Sequence, residues 1–193
     1  MILPIYLGGQ PVLRQETAEV TQQTFASQEE LQTLLTNMFD TLRQAEGVGL
    51  AAPQVGLSLR LLVIDATEVV EEHPECKGFR RVMINPEITE RSGEAITLEE
   101  GCLSFPGIHE KVERAAHIRV NYLNERFEVQ SEEVHGFSAR IVQHECDHLG
   151  GHVFLDHVSP IRRQLNQGKL LALRKGTTHC NYKVQPPLTK KRK

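Results

Sequence analysis

Apolar residues recur at helical spacing in one stretch near the start of the chain: Leu31, Leu34, Leu35, Met38, Phe39 and Leu42. This is the one-sided pattern of an amphipathic helix packed on a core. Ser27-Gln28-Glu29-Glu30 is a capping box that starts the helix, and Gly47 ends it. The pattern then shortens. Leu61-Leu62-Val63-Ile64 is a continuous apolar run, read as a buried strand. Asp65 to Gly78 is acidic and loop-like. Arg81 to Pro86 reads as a second strand, stopped by its proline, and Glu94 to Leu98 is strand-like. His117 to Leu123 alternates, as does Phe127-Glu128-Val129, and Asn124-Glu125-Arg126 joins them as a hairpin. Gly136 precedes another helix. Ser159-Pro160 starts a last one, with serine as N-cap and proline at the first position. The order is α+β, in a single domain without internal repeats.

Composition adds compartment and charge. The 193 residues are 39% hydrophobic, enough for one core. No apolar run reaches the roughly 18 residues of a membrane span, so no membrane association is expected. Met1 to Tyr6 lacks the basic start and long apolar stretch of a signal peptide. Four cysteines at irregular spacing give no disulfide framework. The expected location is cytoplasmic. The net charge of −3 is uneven. From Val158 onward there are ten Lys or Arg and no acid, which leaves 12 basic residues against all 25 acids elsewhere. An acidic body with a basic appendage is expected.

The chemistry enters with His144-Glu145-Cys146-Asp147-His148, an H-E-x-x-H motif. Residues four apart on a helix share a face, so two imidazoles can grip one metal ion while the glutamate between them serves as general base. The third ligand is open. No Asp or Glu follows Asp156, so a glutamate on a later helix is excluded. Gly151 stands at the glycine place of H-E-x-x-H-x-x-G-x-x-H, but Phe154 occupies its final histidine place. Downstream candidates are His152, Asp156, His157, His179 and Cys180. Upstream there is Cys102, in Glu100-Gly101-Cys102-Leu103-Ser104, where Gly101 admits a close backbone or an extended substrate. By itself Cys102 also reads as a small buried hydrophobe. A third segment, Gly47 to Gln54, is small and apolar and ends in a lone amide. It suits a wall for a substrate backbone with Gln54 as hydrogen-bond donor, and equally a helix end followed by a loop.

Together these segments resemble the peptide deformylase family of the bacterial type. Gly47 to Gln54 matches G-φ-G-φ-A-A-x-Q, Glu100 to Ser104 matches E-G-C-φ-S, and Gln143 to His148 matches Q-H-E-x-D-H, in family order. The resemblance covers about residues 1–175. It implies antiparallel or mixed sheets packed around a central metal-binding helix. It also implies a catalytic domain over 1–175 with a basic C-terminal helix at about 159–175, and a basic tail over 176–193. The implied metal is Fe²⁺, with Ni²⁺, Co²⁺ or Zn²⁺ as substitutes, held by Cys102, His144 and His148. The implied activity is hydrolysis of the formyl group from formyl-methionyl ends of nascent polypeptides. Glu145 is then the general base, and Gln54 and the Leu103 N–H hold the oxyanion. Val48, Leu98, Phe137, Ile141 and the His144 ring surround methionine, and Gly49 and Gly101 line the substrate. Glu100 and Arg114 form a bracing pair, and Asp147 reads either as an outer partner of the metal-binding histidines or as a solvated or helix-stabilising acid. Cys146, at the variable place of the motif, is expected to face the core.

Deformylases of this type often carry a C-terminal helix that docks on the ribosome. Arg162, Arg163, Lys169, Arg174 and Lys175 suit such a contact. They equally suit a solvated helix whose Leu165, Leu170, Leu171 and Leu173 pack on the body. Lys190 to Lys193 reads as a frayed end. Two other functions fit parts of the pattern: a metallopeptidase of another H-E-x-x-H class, and a non-enzymatic RNA- or ribosome-binding protein on the same fold.

Overall fold

The computed structural model describes residues 1–187. In chain order the elements are β1 (Ile5–Tyr6), α1 (Gln28–Gln44), β2 (Gly49–Ala51), β3 (Leu61–Asp65), β4 (Arg80–Gly101), β5 (His109–Leu123), β6 (Val129–His135), α2 (Gly136–Leu149), α3 (Pro160–Leu165), α4 (Gln167–Lys175) and β7 (Val184–Gln185). Strands β2 to β6 pair in sequence order as one antiparallel sheet, and β1 pairs with β7 in parallel.

Strand alternation divides the core in two. Leu62 and Ile64 of β3 face α2, in a cluster with Met83, Ile118, Val120, Ala139, Ile141 and Val142. Leu61 and Val63 face α1, with Leu31, Leu35, Met38 and Leu42. The sheet is therefore filled on both faces, which explains the continuous apolar run of β3. A third cluster joins Phe105, Ile108 and Val112 to Val153, Phe154, Leu155 and Leu173. It ties the turn after β4 to the chain beyond α2 and to α4.

Helix α1 starts as its capping box implies: Glu30 N–H donates to Ser27 Oγ at 3.2 Å, and Glu30 Oε2 accepts from the Ala26 N–H at 2.6 Å. Its end differs from expectation. The left-handed residue is Glu46 (φ 54°) rather than Gly47. Gly47 is glycine for space, because a Cβ there would lie 2.8 Å from Leu103 Cδ1 and 2.9 Å from Leu42 Cδ1.

The sheet corrects the sequence reading most. Arg81–Pro86 and Glu94–Leu98 are parts of one 22-residue strand, β4, and the proline does not stop it. The register shifts between Ile84 and Glu87. Asn85 turns to φ 51°, donates its N–H to Arg60 C=O at 2.8 Å, and exchanges two side-chain hydrogen bonds with Val20. Pro86 has no N–H to lose, so it is tolerated at this bulge. Strand β5 likewise begins at His109, earlier than the alternating stretch. The last helix is also broken: α3 and α4 meet at Asn166, which is buried and donates to Glu110. Of its leucines, Leu173 is buried and Leu170 packs on the third cluster, whereas Leu165 and Leu171 are exposed. The segment after Lys175, set apart as a tail from the sequence, returns to pair with β1. Lys190 to Lys193 lie outside the described residues.

Gly151, which stands at the glycine place of H-E-x-x-H-x-x-G-x-x-H, has a packing explanation. It has φ +73°, and a Cβ would sit 2.9 Å from the Arg14 backbone carbonyl carbon. Gly151→Ala is expected to lower unfolding free energy by about 2–4 kcal/mol, from left-handed strain plus overpacking. Urea denaturation checks this; a wild-type midpoint would refute the close-approach explanation.

Candidate metal centre

Strand β4 ends at Gly101, and Cys102 opens the turn that leads to β5. His144 and His148 lie one turn apart on α2. The fold brings the three together: Cys102 Sγ is 3.3 Å from His148 Nε2, and one ligand atom from each residue lies within 4.8 Å of the others. Among the described residues no other such group of three occurs. The downstream candidates do not join this group; His179 and Cys180 line the cavity beside it. Asp156 pairs with Arg14, His157 bonds to Asp147 at 2.8 Å, and His152 is exposed. Phe154, at the place a third histidine would occupy, packs its ring 6.0 Å from that of His144.

Two buried atoms here lack hydrogen-bond partners: Glu145 Oε2 and His148 Nδ1. A buried polar atom without a partner costs about 1–3 kcal/mol, so such atoms cluster where a site is completed by something else. A thiol, two imidazoles and a free carboxylate fit a single transition-metal ion. Burial and the neighbouring His144 hold His148 well below the usual histidine range, hence neutral, which is the ligating form. Burial pushes the Glu145 carboxyl up to about 7. A cation beside it would favour the ionised form.

Glu100 is the electrostatic hub. Its carboxylate accepts from Arg114 at 2.9 and 3.0 Å, from Arg140 at 2.6 Å, and from His144 Nδ1 at 3.0 Å. Burial pushes its pKa up, but the hydrogen bonds from His144 and Arg114 outweigh this and hold the carboxyl well below the usual range. With Nδ1–H given to Glu100, His144 presents Nε2 as its free donor atom. Arg114 also reaches Asp147 at 2.6 Å, so Asp147 belongs to this network rather than to solvent. Its carboxylate accepts hydrogen bonds from Arg114 and His157 and from neither histidine of the trio. Arg140 was missed by sequence reasoning. Its signal was an arginine one helical turn before His144, on the same face of the helix.

The remaining residues surround a cavity of 480 Å³. Gln54 is buried; Ala51 N–H holds its Oε1 at 2.8 Å, which turns Nε2 toward Cys102 Sγ (3.5 Å) and Ser104 Oγ (3.4 Å). The Leu103 N–H donates to nothing among the described residues. Gly49 lies against Glu145: a Cβ would come 2.4 Å from Oε1, so only glycine leaves this carboxylate its place. Gly101 is crowded by His109, 2.7 Å from where its Cβ would be. Val48, Phe137, Ile141 and His144 all line the cavity, whereas Leu98 does not. Alternation puts Leu98 on the Glu100 side of β4, but its side chain is 42% exposed.

Phe137 is held from behind by a residue in the acidic loop. The His73 ring stacks on it at 3.9 Å and 9°. Glu75 from the same loop accepts the Phe137 N–H at 2.9 Å, capping α2. Cys146 packs against the core, and burial pushes its thiol up to about 12, which favours the protonated form.

One thiol, two imidazoles and an unpaired buried carboxylate in an open cavity form a group that could hold a metal ion, as the sites of metal hydrolases do. Comparison with known proteins narrows this. Residues 2–164 match the family model described as polypeptide deformylase. The peptide deformylase of Salinibacter ruber is 42% identical over 94% of this chain and 93% of its own. That of Cytophaga hutchinsonii is 38% identical over 98% and 100%. Among solved structures, peptide deformylase from Legionella pneumophila superposes with a TM-score of 0.78 at 38% identity, over 91% of this chain and 96% of that one. The Thermotoga maritima enzyme gives 0.71 at 41%, over 83% and 99%. The chain belongs to the polypeptide deformylase family.

Glu100→Gln should expose how far the centre depends on this one carboxylate. Buried Arg140 loses its carboxylate partner and buried Arg114 keeps only Asp147, so stability should fall by about 3–5 kcal/mol. Metal affinity, measured by chelator competition on the folded fraction, should fall roughly 10–100-fold. Unchanged affinity would contradict the assignment.

Proposed function

We propose that this protein hydrolyses the formyl group from the N-terminal formyl-methionine of newly made polypeptides, releasing formate and a free amino terminus. The observation that carries the proposal is the unpaired Glu145 carboxylate beside the Cys102–His144–His148 group, inside a cavity with an apolar wall. Family membership agrees with it.

Cys102, His144 and His148 would hold the metal. Its chemistry, when bound, is Lewis acidity toward water and the formyl carbonyl. We assign Fe²⁺ by resemblance, with Ni²⁺, Co²⁺ or Zn²⁺ as substitutes; the donor set alone would suit zinc. Glu145 takes a proton from the attacking water and returns it to the leaving amine. Gln54 Nε2 and the Leu103 N–H donate to the oxygen as it gains charge. Glu100 keeps the His144 ring in place, and Arg114, Arg140 and Asp147 fix Glu100. Val48, Phe137 and Ile141 receive the methionine side chain, with Gly49 and Gly101 beside the substrate backbone. Leu98, exposed at the rim, is left out of this pocket.

Other H-E-x-x-H peptidases fit less well, because no acid follows Asp156 and Phe154 fills the alternative histidine place. A purely RNA-binding role leaves an intact ligand set and base unexplained.

No helix among the described residues is long and apolar enough to cross a membrane. We assign the protein to the cytoplasm, where a thiolate ligand stays reduced. Ribosome contact through the basic helices is the second part of the reading. Arg162 is paired with Glu110 and Lys169 with Gly107 C=O, but Arg163, Arg174 and Lys175 make no side-chain ion pair among the described residues. These three are the cations free for phosphate.

Anaerobically purified protein should release formate from formyl-Met-Ala-Ser, with about one metal ion per chain. Absence of release from metal-loaded protein would refute the proposal. Gln54→Ala should lower turnover roughly 10²–10³-fold, as for loss of one oxyanion donor; a wild-type rate would remove Gln54 from the mechanism. The tight wall of Gly49 and Gln54 should discriminate against acetyl-Met peptides, and comparable rates on both would show that it does not. For the ribosome, Arg163→Glu with Lys175→Glu should weaken co-sedimentation, and raised salt should do the same. Binding unaffected by either change would reject the contact.

A further inference from the structure

The residues after α4 were the least informative part of the sequence, yet they reach the site. Gly176 turns the chain in the left-handed conformation (φ 67°). The following segment runs back across the molecule until Val184 and Gln185 pair with Ile5 and Tyr6. Between these anchors, His179, Cys180, Asn181 and Tyr182 line the same cavity as Glu145 and Gln54. Tyr182 O–H donates to the Leu103 carbonyl at 2.8 Å. Leu103, directly after Cys102, is the residue whose N–H has no partner among the described residues.

The turn that carries Cys102 is short and needs outside support. Phe105 N–H closes it on Cys102 C=O at 2.8 Å, and Gly8 N–H holds Ser104 C=O at 2.8 Å. Tyr182 supplies the third tie, and it is the one nearest Leu103. The two strands that hold this arrangement, β1 and β7, come from opposite ends of the chain. The cavity, at 480 Å³, is within the size range that accepts drug-like ligands and exceeds what one formyl-methionyl unit needs. The wall of residues 179–182 has polar, exposed members, His179 and Asn181, suited to hydrogen bonding a peptide backbone.

We propose that the segment His179–Tyr182 completes the substrate site: His179 and Asn181 contact the peptide beyond its methionine, and Tyr182 is a positioning residue that fixes Leu103. This inference rests on the deformylase reading above and extends it to a part of the chain outside the three motifs.

The test uses full-length, metal-loaded protein and two substrates, formyl-Met-Ala and formyl-Met-Ala-Ser. Wild-type activity must be seen first; its absence would defeat the deformylase reading itself and is distinct from failure here. Tyr182→Phe keeps the ring and removes one neutral hydrogen bond. It should lower kcat roughly 3- to 10-fold on both substrates with KM little moved. The paired change His179→Ala with Asn181→Ala should instead raise KM, and several-fold more for the longer substrate than for the shorter. Metal content and thermal midpoint, read on the same samples, exclude loss of the fold as the cause. Wild-type kcat in Tyr182→Phe, or an equal effect of the paired change on both substrate lengths, would overturn the proposal.

Discussion

The Glu100 carboxylate is the interaction on which the centre depends. It sits at the end of β4, in the low-dielectric space between the sheet and α2, and takes hydrogen bonds from Arg114 on β5 and from Arg140 and His144 on α2. A lone carboxylate could not stay ionised there; two guanidiniums and an imidazole N–H make it possible. In return it locks three elements together at one point. Cys102 follows Glu100 by two residues and His148 follows His144 by four. The register of strand and helix at Glu100 therefore sets the thiol against the imidazoles.

Around that point the fold trades ordinary packing for close approach. Gly49 gives up its side chain so that Glu145 can lie against β2, and Gly47 does the same for Leu103. The result is a carboxylate with no hydrogen-bond donor, held near a thiol and two rings. Such a site is costly in a folded protein unless a metal ion and a substrate complete it. The apolar and polar jobs are divided by element. Helix α2 supplies ligands, base and the Phe137–Ile141 wall, while the β2 and β4 ends supply Gln54 and the Leu103 amide.

Much of this was legible in the residues. The 3.6-residue period of α1 and the i, i+4 histidines are local signals, and local geometry realised them. The three motifs converge, with Cys102, His144 and Gln54 within contact range. What the sequence did not disclose depends on long-range pairing. Pro86 looked like a strand end because the bulge that shelters it relies on Arg60 and Val20, far away in the chain. Leu98 looked like a pocket residue by family resemblance alone, and its exposure depends on what packs over β4, which no local pattern carries. Arg140 was overlooked as one charge on a helix, since its partner lies 40 residues earlier. Tyr182 carries no pattern at all: its role comes from a chain reversal at Gly176 and a two-residue pairing with β1.

The central claim is that one thiolate and two imidazoles of this chain hold a single metal ion. X-ray absorption at the metal edge of zinc-loaded protein tests it directly. The account requires one sulfur at about 2.3 Å and two imidazole nitrogens at about 2.0–2.1 Å, with the sulfur lost in Cys102→Ser. A first shell without sulfur in the unmodified protein, or one unchanged by Cys102→Ser, would contradict it.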